Sequence, residues 1–366
     1  MGQDSAKRGL PREHRGRVAR RLRDGFSKSR PRSPVASSSV AGPHPRGSPC
    51  AGRRGTSHQR RGDPMRIHYL QCGTDCPLGG ALFDGFSRGI LGHIPCAAQL
   101  VETNEGLVLI DTGYGTEDVR HPHPRLSKFF HALLNIRFRL RETALYQIVA
   151  LGYSPADVRH IVLTHLDFDH AGGLEDFPNA RVHVMEAERD AAERKRQGFI
   201  ARRRYRPAQW NEVREWRTYA GGGERWFGFE NARALDGLPP EILMVPLPGH
   251  TAGHAGIAVQ SDTGWVLNAG DAYFYRRELD ADRRRCTPGL RFYQRLMDTD
   301  RSLRFANQER LRDLRQSSAV TVFCSHDAKE LEAMQRGRCI GGVETCSMAR
   351  MTSHSAGREG ARINAT

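Results

Sequence analysis

The sequence predicts an α/β protein built in four layers, two mixed β-sheets packed face to face with helices over their outer faces. Three observations predict it. The order strand, loop, helix is given twice along residues 65–335. Histidines and aspartates stand at the ends of predicted strands in both halves. No apolar run approaches the ~20 residues needed to cross a bilayer, and no repeat of solenoid period is present.

The 366 residues suffice for one large domain or two ordinary ones. The formal charge of +15 invites a nucleic-acid reading, so its location decides. Residues 1–64 hold 16 Lys+Arg against 4 Asp+Glu, residues 336–366 hold 5 against 2, and residues 65–335 hold 35 against 35. The basicity belongs to the tails, and the balanced core offers no patch for phosphate backbones. Eight cysteines, at 50, 72, 76, 96, 286, 324, 339 and 346, form no CxxC and no repeated spacing. In a chain of this size they read as reduced thiols in a cytoplasmic setting. Cys72 and Cys76 read as packed or loop thiols rather than a metal pair.

Residues 1–64 are rich in Arg, Ser, Pro and Gly with almost no periodic apolar residues, so they cannot offset their ordering entropy. We read a disordered basic extension, foreign to the native protein if Met65 is the true start. An organelle transit peptide lacks its amphipathic pattern here, and a secretory signal lacks its apolar core. From Met65 the pattern changes. Residues 66–70 alternate like an edge strand, and residues 72–92 are a glycine-punctuated loop. Residues 97–103 and 107–111 are two apolar runs separated by Asn-Glu-Gly, a hairpin signal. His121, His123 and His131 lie among aromatics and arginines, read as a solvated loop. Residues 143–151 read as helix, and Ser154-Pro155 as an N-cap followed by proline at the first helical position.

Residues 161–164, Ile-Val-Leu-Thr, are a short buried strand. The next stretch, His165-Leu-Asp167-Phe-Asp169-His170-Ala-Gly-Gly173, packs four ligand-type side chains into six residues. Imidazoles and carboxylates on one tight loop suit one or two divalent transition ions. Residues 181–185 alternate as a strand in which His183 is structural, and residues 186–197 form a charged helix. Arg202 to Arg206 make the one basic cluster of the core, either a solvated face or a lid over an anionic substrate group. Residues 207–239 read as an irregular insertion near the site mouth. Strands over 242–246, 256–260 and 265–268 follow, then helical periodicity over 298–315, a last strand over 319–324 and a closing helix over 328–334. The tail, 336–366, reads as disordered.

These motifs resemble the metallo-β-lactamase-fold hydrolases, in the lactonase and lactamase-like branch. The stretch from His165 to His170 is similar to the family's His-x-His-x-Asp-His signature, with Asp167 in place of the second histidine. Gly106 to Gly113, Pro248-Gly-His250-Thr-Ala-Gly-His254, Gly270-Asp271 and Ser325-His326-Asp327 resemble the remaining landmarks, in the family's order. The resemblance spans about residues 65–335 and implies the αββα sandwich with a metal cleft along one edge. It also implies one metal site of His165, Asp167 and His250, a second of Asp169, His170 and His326, and Asp271 bridging them. Asp111 would support the metal loop without ligating; His254 is read first as structural, and Tyr273 and Tyr275 as pocket-lining by position.

Two such ions, about 3.5–4 Å apart, hold a shared water, lower its pKa toward neutrality and stabilise the developing oxyanion. No serine elbow is needed, and none is spelled. Zinc is the expected metal; the carboxylate of Asp167 makes its site harder and gives weight to manganese or iron, and a mononuclear enzyme using only the second site is a further alternative. Asp167 either ligates, since its side chain should share a face with His165, or pairs with a nearby arginine. The resulting expectation is a di-metal hydrolase in which Asp169 and Asp271 serve a bridging hydroxide that attacks a small lactone, thioester or β-lactam. The alternatives are a nuclease or phosphodiesterase of the same fold and an iron-dependent oxygenase.

Overall fold

The computed structural model describes residues 65–194 and 198–337. The expectations for the basic extension, for most of the tail and for the end of the charged helix lie outside the described residues.

The first sheet is built from β1 (Ile67–Asp75), β2 (Ile94–Thr103), β3 (Gly106–Ile110), β4 (Ile136–Arg137), β5 (Val158–Val162), β6 (Arg181–Met185) and β7 (Trp216–Tyr219). Its spatial order is β4-β1-β2-β3-β5-β6-β7. The second is built from β8 (Glu224–Trp226), β9 (Phe229–Ala234), β10 (Ile242–Pro246), β11 (Ala255–Ser261), β12 (Gly264–Asn268) and β13 (Val320–Phe323), in the order β13-β12-β11-β10-β9-β8. The chain thus completes one mixed sheet before starting the other.

The alternation of side chains explains how both sheets are buried on two faces. Along β3, Val108 and Ile110 point inward with Val162 against Ile242, Met244 and Ile257 of the second sheet. Leu107 and Leu109 point outward, with Ile161 and Val184, toward Ile148 of the helix Ala144–Ala150. On the far side, Val245, Leu267 and Val322 pack on Leu311 and Leu314 of the helix Arg301–Gln316. This is the αββα sandwich the sequence predicts.

The differences from the sequence reading are local. The strand expected over 66–70 runs on to Asp75 through an irregularity between Gln71 and Thr74, and it is flanked on both sides by β2 and β4. The supposed irregular insertion holds β7, β8 and β9, so it extends both sheets. The helical stretch near residue 300 is preceded by another helix, Pro288–Met297, with proline in its first turn. The second helix opens only at Asp300, whose side chain accepts from Leu303 N. Among the described residues, no helix is long and apolar enough to cross a membrane.

β7 is fastened to the sheet by a polar chain. Tyr219 Oη accepts from Asp236 N at 3.0 Å and donates to His183 Nδ1 at 2.7 Å, and His183 Nε2 donates to His160 Nδ1 at 2.8 Å. Burial, with His160 beside it, pushes the His183 imidazole down to about 3. An unfolded histidine titrates near 6.5, so the unfolded chain takes the proton first. The stability this group supplies is intact above that value and is lost as pH falls toward 3. His183→Gln should therefore flatten the acid limb of urea-unfolding stability between those limits, by at most about 1.4 kcal/mol per pH unit.

A second buried group joins the two ligand-bearing loops. Glu188, in the helix Glu186–Glu193, accepts from Leu166 N at 3.0 Å, Thr251 Oγ1 at 2.5 Å and Gly253 N at 3.2 Å. Glu188→Ala would strand three buried donors and should cost roughly 3 kcal/mol or more in urea unfolding, with Glu188→Gln intermediate.

Candidate metal centre

The site is assembled at one sandwich edge from loops that leave β3, β5, β10, β12 and β13. The sequence after β5 is too polar to continue a buried strand. It folds instead into a turn in which His170 N and Ala171 N both donate to Asp167 O at 3.0 Å. Thr112 ties this turn down, with its N and Oγ1 donating to His170 O, each at 2.8 Å. Gly172 is required there: a Cβ would lie 2.2 Å from Asp118 Oδ2 and 2.7 Å from Gly113 O.

The structure brings all seven sequence-predicted ligand residues together, in two clusters that share Asp271 and bury every member. In the second cluster, His170 Nδ1 donates to Asp111 Oδ2 at 3.0 Å and His326 Nδ1 donates to Pro95 O at 2.8 Å. Each ring therefore turns Nε2 inward, and the two nitrogens face each other at 3.3 Å. Asp271 Oδ1 is 3.1 Å from His326 Nε2 and 3.3 Å from His170 Nε2, without a hydrogen bond aligned to either. Asp169 Oδ2 lies 3.6 and 3.9 Å from the same nitrogens.

Burial works against charge on both rings, but the carboxylates outweigh it. Asp271, Asp169 and Asp111 hold His170 well above the usual imidazole range, and Asp271 and Asp169 raise His326 to about 9. Two lone-pair nitrogens at this distance, beside carboxylates that call for positive charge, make a donor set that fits a divalent ion. Cys96, also buried, offers its Sγ within 4.8 Å of ligand atoms of Asp169 and His326. The sequence reading missed it, because a single cysteine in an apolar strand carries no metal-spacing signal.

The first cluster holds His165, Asp167, His250 and Asp271. His165 Nδ1 donates to Thr164 Oγ1 at 2.9 Å, and Thr164 Oγ1 donates to Asp111 Oδ2 at 2.8 Å. His165 Nε2 is buried with no hydrogen-bond partner among the described residues, 3.4 Å from Asp167 Oδ2 and 3.6 Å from Asp271 Oδ2. Into this cluster comes the arginine partner that the sequence leaves open for Asp167, supplied by the Arg202–Arg206 segment. Arg204 is buried, with Nε 2.6 Å from Asp167 Oδ1, Nη2 2.5 Å from Asp167 Oδ2, and Nη2 also 2.8 Å from His250 Nε2. The Arg202–Arg206 segment is thus neither a plain solvated face nor a lid, because its central side chain points into the site. Burial disfavours the Asp167 carboxylate, yet Arg204 and His165 overcome this and hold it well below the usual carboxylate range.

Other sequence-singled residues separate into supports and bystanders. Asp111, at φ 55°, supports both clusters through His170 and Thr164. His254 donates from Nδ1 to Leu247 O at 3.0 Å and accepts from Asp271 N at 2.9 Å, which fixes the shared aspartate. Tyr273 does not line the cleft: it is buried in the core behind the second sheet and donates to Glu330 Oε2 at 2.8 Å. Position two residues past Asp271 misled, because the chain turns between them. Tyr275 packs with Phe274 and Tyr293 around the second cluster's side of the cleft. Cys72 and Cys76 stand as free thiols outside any ligand cluster among the described residues. Glu188 passed unnoticed because a glutamate within a charged helix looks like solvated surface.

Beside the second cluster opens a narrow pocket. Asp169, His326, Asp75 and Tyr293 bring polar groups to it, and Phe83, Ile94, Leu134, Phe274 and Leu290 supply apolar wall. Burial, with Asp169 next, raises Asp75 to about 8.

Comparison with known proteins shows the family and the fold. The family model of the metallo-beta-lactamase superfamily matches residues 91–326. A probable metallo-hydrolase of Mycobacterium tuberculosis is 40% identical over 306 residues, covering 82% of this chain and 92% of its own. An N-acyl homoserine lactonase of Bacillus cereus is 24% identical over 264 residues, covering 69% and 92%. A solved N-acyl homoserine lactone hydrolase, with N-hexanoyl-L-homoserine at its catalytic metal center, superposes with a TM-score of 0.57 at 20% identity, covering 74% of this chain and 96% of that one. The chain belongs to the metallo-β-lactamase superfamily and is a metal-dependent hydrolase.

Proposed function

We propose that the protein hydrolyses the ester-type carbonyl of a small, partly apolar molecule, a lactone before a thioester or a β-lactam. The observation that carries this reading is the pocket beside the second cluster, where Phe83, Ile94, Leu134, Phe274 and Leu290 face the polar side chains of Asp169, His326, Asp75 and Tyr293. Walls of this chemistry suit an acyl or alkyl group, whose carbonyl would lie toward the polar side chains. The lactonase relatives support the same substrate class.

A divalent ion held by Asp169, His170, His326 and Asp271 would lower the pKa of a bound water and polarise the substrate carbonyl. Zinc is our first assignment, with manganese and iron as alternatives. The chain's own residues do the rest. Asp111 and the Pro95 carbonyl hold the two imidazoles with Nε2 inward. His254 holds Asp271 by its backbone. Phe274 stacks on His326, with ring centroids 4.9 Å apart, and keeps water from that face. The two-ion form of this chemistry would further require an ion held by His165, Asp167 and His250. Phosphodiester cleavage fits less well, since the pocket wall carries no arginine or lysine. We place the enzyme in the cytoplasm, where its free buried thiols stay reduced.

The test is turnover of lactones, thioesters, β-lactams and phosphodiesters by zinc-, manganese- and iron-loaded protein. Lactones should be the best class, and turnover confined to phosphodiesters would reject the reading. Asp169→Ala and His170→Ala should each reduce turnover by about 10²-fold or more while the unfolding midpoint in urea stays close to wild type.

A further inference from the structure

We infer that the Arg204 guanidinium takes the place of the first ion, so that this hydrolase works with one resident metal, at the second cluster. The inference rests on the proposed reading of that cluster as the metal site.

All five N–H donors of Arg204 have acceptors in the fold. Nε and one Nη2 proton fork onto the two oxygens of Asp167, and the other Nη2 proton meets His250 Nε2. Nη1 donates to Met297 O at 2.6 Å and to His250 O at 3.4 Å. A guanidinium satisfied on every side is not a mobile surface charge that yields to an incoming ion. An imidazole nitrogen has one lone pair. His250 Nε2 lies 2.8 Å from Arg204 Nη2 and 3.1 Å from Asp167 Oδ2, and with its lone pair turned to the guanidinium the same atom does not bind a metal at about 2.0–2.1 Å. Each oxygen of Asp167 gives one of its lone pairs to the fork, and Nη2 stands between Asp167 Oδ2 and His250 Nε2, in the space an ion would share with them. His165 Nε2 is left without a hydrogen bond, as is the other ring nitrogen of His250, Nδ1, and the Asp271 carboxylate is shared with the second cluster. Such a remainder, beside a fixed cation, does not hold a divalent ion.

The departure at Asp167 and the burial of Arg204 are therefore one feature. A histidine at 167 would face a buried guanidinium with no counter-charge, and a carboxylate there without Arg204 would be buried beside Asp271 and Asp169. Each residue makes the other tenable. Arg204 acts as a positioning residue that locks His250 and Asp167 and supplies fixed positive charge next to the working ion.

The experiment is metal analysis of the full-length protein after saturation with zinc chloride and removal of free zinc. Wild type should retain one zinc per chain, and His170→Ala close to none. Arg204→Ala combined with Asp167→His restores an imidazole and removes the cation together, which avoids an unpaired buried charge, and should retain two. Cobalt substitution gives a second readout, a doubling of the cobalt absorption per chain in the double variant over wild type. Two zinc ions in wild type would overturn the inference and leave the proposed function standing. One zinc in both wild type and double variant would overturn the role of Arg204. No zinc in wild type would overturn the metal reading of the second cluster and this inference with it.

Discussion

One buried carboxylate sets the geometry on which the site depends. Asp111 follows the last residue of β3 at φ 55°, a conformation that costs a non-glycine residue about 1–3 kcal/mol. The turn sends its side chain under the next loop, where it accepts from Thr164 N at 2.8 Å, from Thr164 Oγ1 and from His170 Nδ1. Through Thr164 it also sets His165. One carboxylate thus orients an imidazole in each cluster, and it does so from outside the ligand shell. Gly113 two residues later completes the turn, since a Cβ there would lie 2.0 Å from Cys72 O.

The sheets supply the rest through strand direction. β3 runs parallel to β5, and β12 runs parallel to β13, so each pair ends at the same edge. β10 shares that direction with β12, because β11 is antiparallel to both. The loops with Asp111, His165 to His170, His250, Asp271 and His326 all leave carboxyl ends of strands on one rim. Residues separated by more than 200 positions meet there without any long-range loop having to be ordered by itself. The inward faces of β3, β5, β10 and β11 then fix the distance between the two halves of the ligand set.

Much of this is legible in the sequence, for a physical reason. Ligands at strand ends are constrained twice, by the apolar strand before them and by the chemistry they must share, so the stretches at 161–173, 248–254, 270–271 and 325–327 carry dense local signals. Arg204 has no such signal. It is one of four arginines in the five residues 202–206, and only tertiary burial distinguishes it from its neighbours. Arg203, one residue earlier, instead lies over the Phe199 ring at 3.5 Å. The strands β7 to β9 escaped because they are short and carry Arg and Glu at exposed positions, so neither period nor composition marks them. Tyr273 was misplaced because proximity in sequence to Asp271 stands for proximity in space only while the chain stays extended.

The insertion and the altered motif explain each other once charge is counted across the whole cleft. Asp167 brings a negative charge where the family pattern has a neutral ring, and Arg204 brings one positive charge to it. The pair is neutral, whereas a divalent ion would add two positive charges to the same volume. Delivering that guanidinium requires a segment anchored firmly enough to bury it. β7 secures one end on the first sheet, and β8 and β9 continue the same segment into the second. Between Arg204 and β7, Gln209 reaches the metal loop by donating to Phe168 O at 2.9 Å and to Asp118 Oδ2 at 2.8 Å. Arg206 donates to Arg125 O at 2.6 Å. A stretch that looks like an irregular insertion in the sequence is therefore part of the wall of the site, and its attachment to both sheets is what allows the long, flexible side chain just before it to behave as a fixed charge.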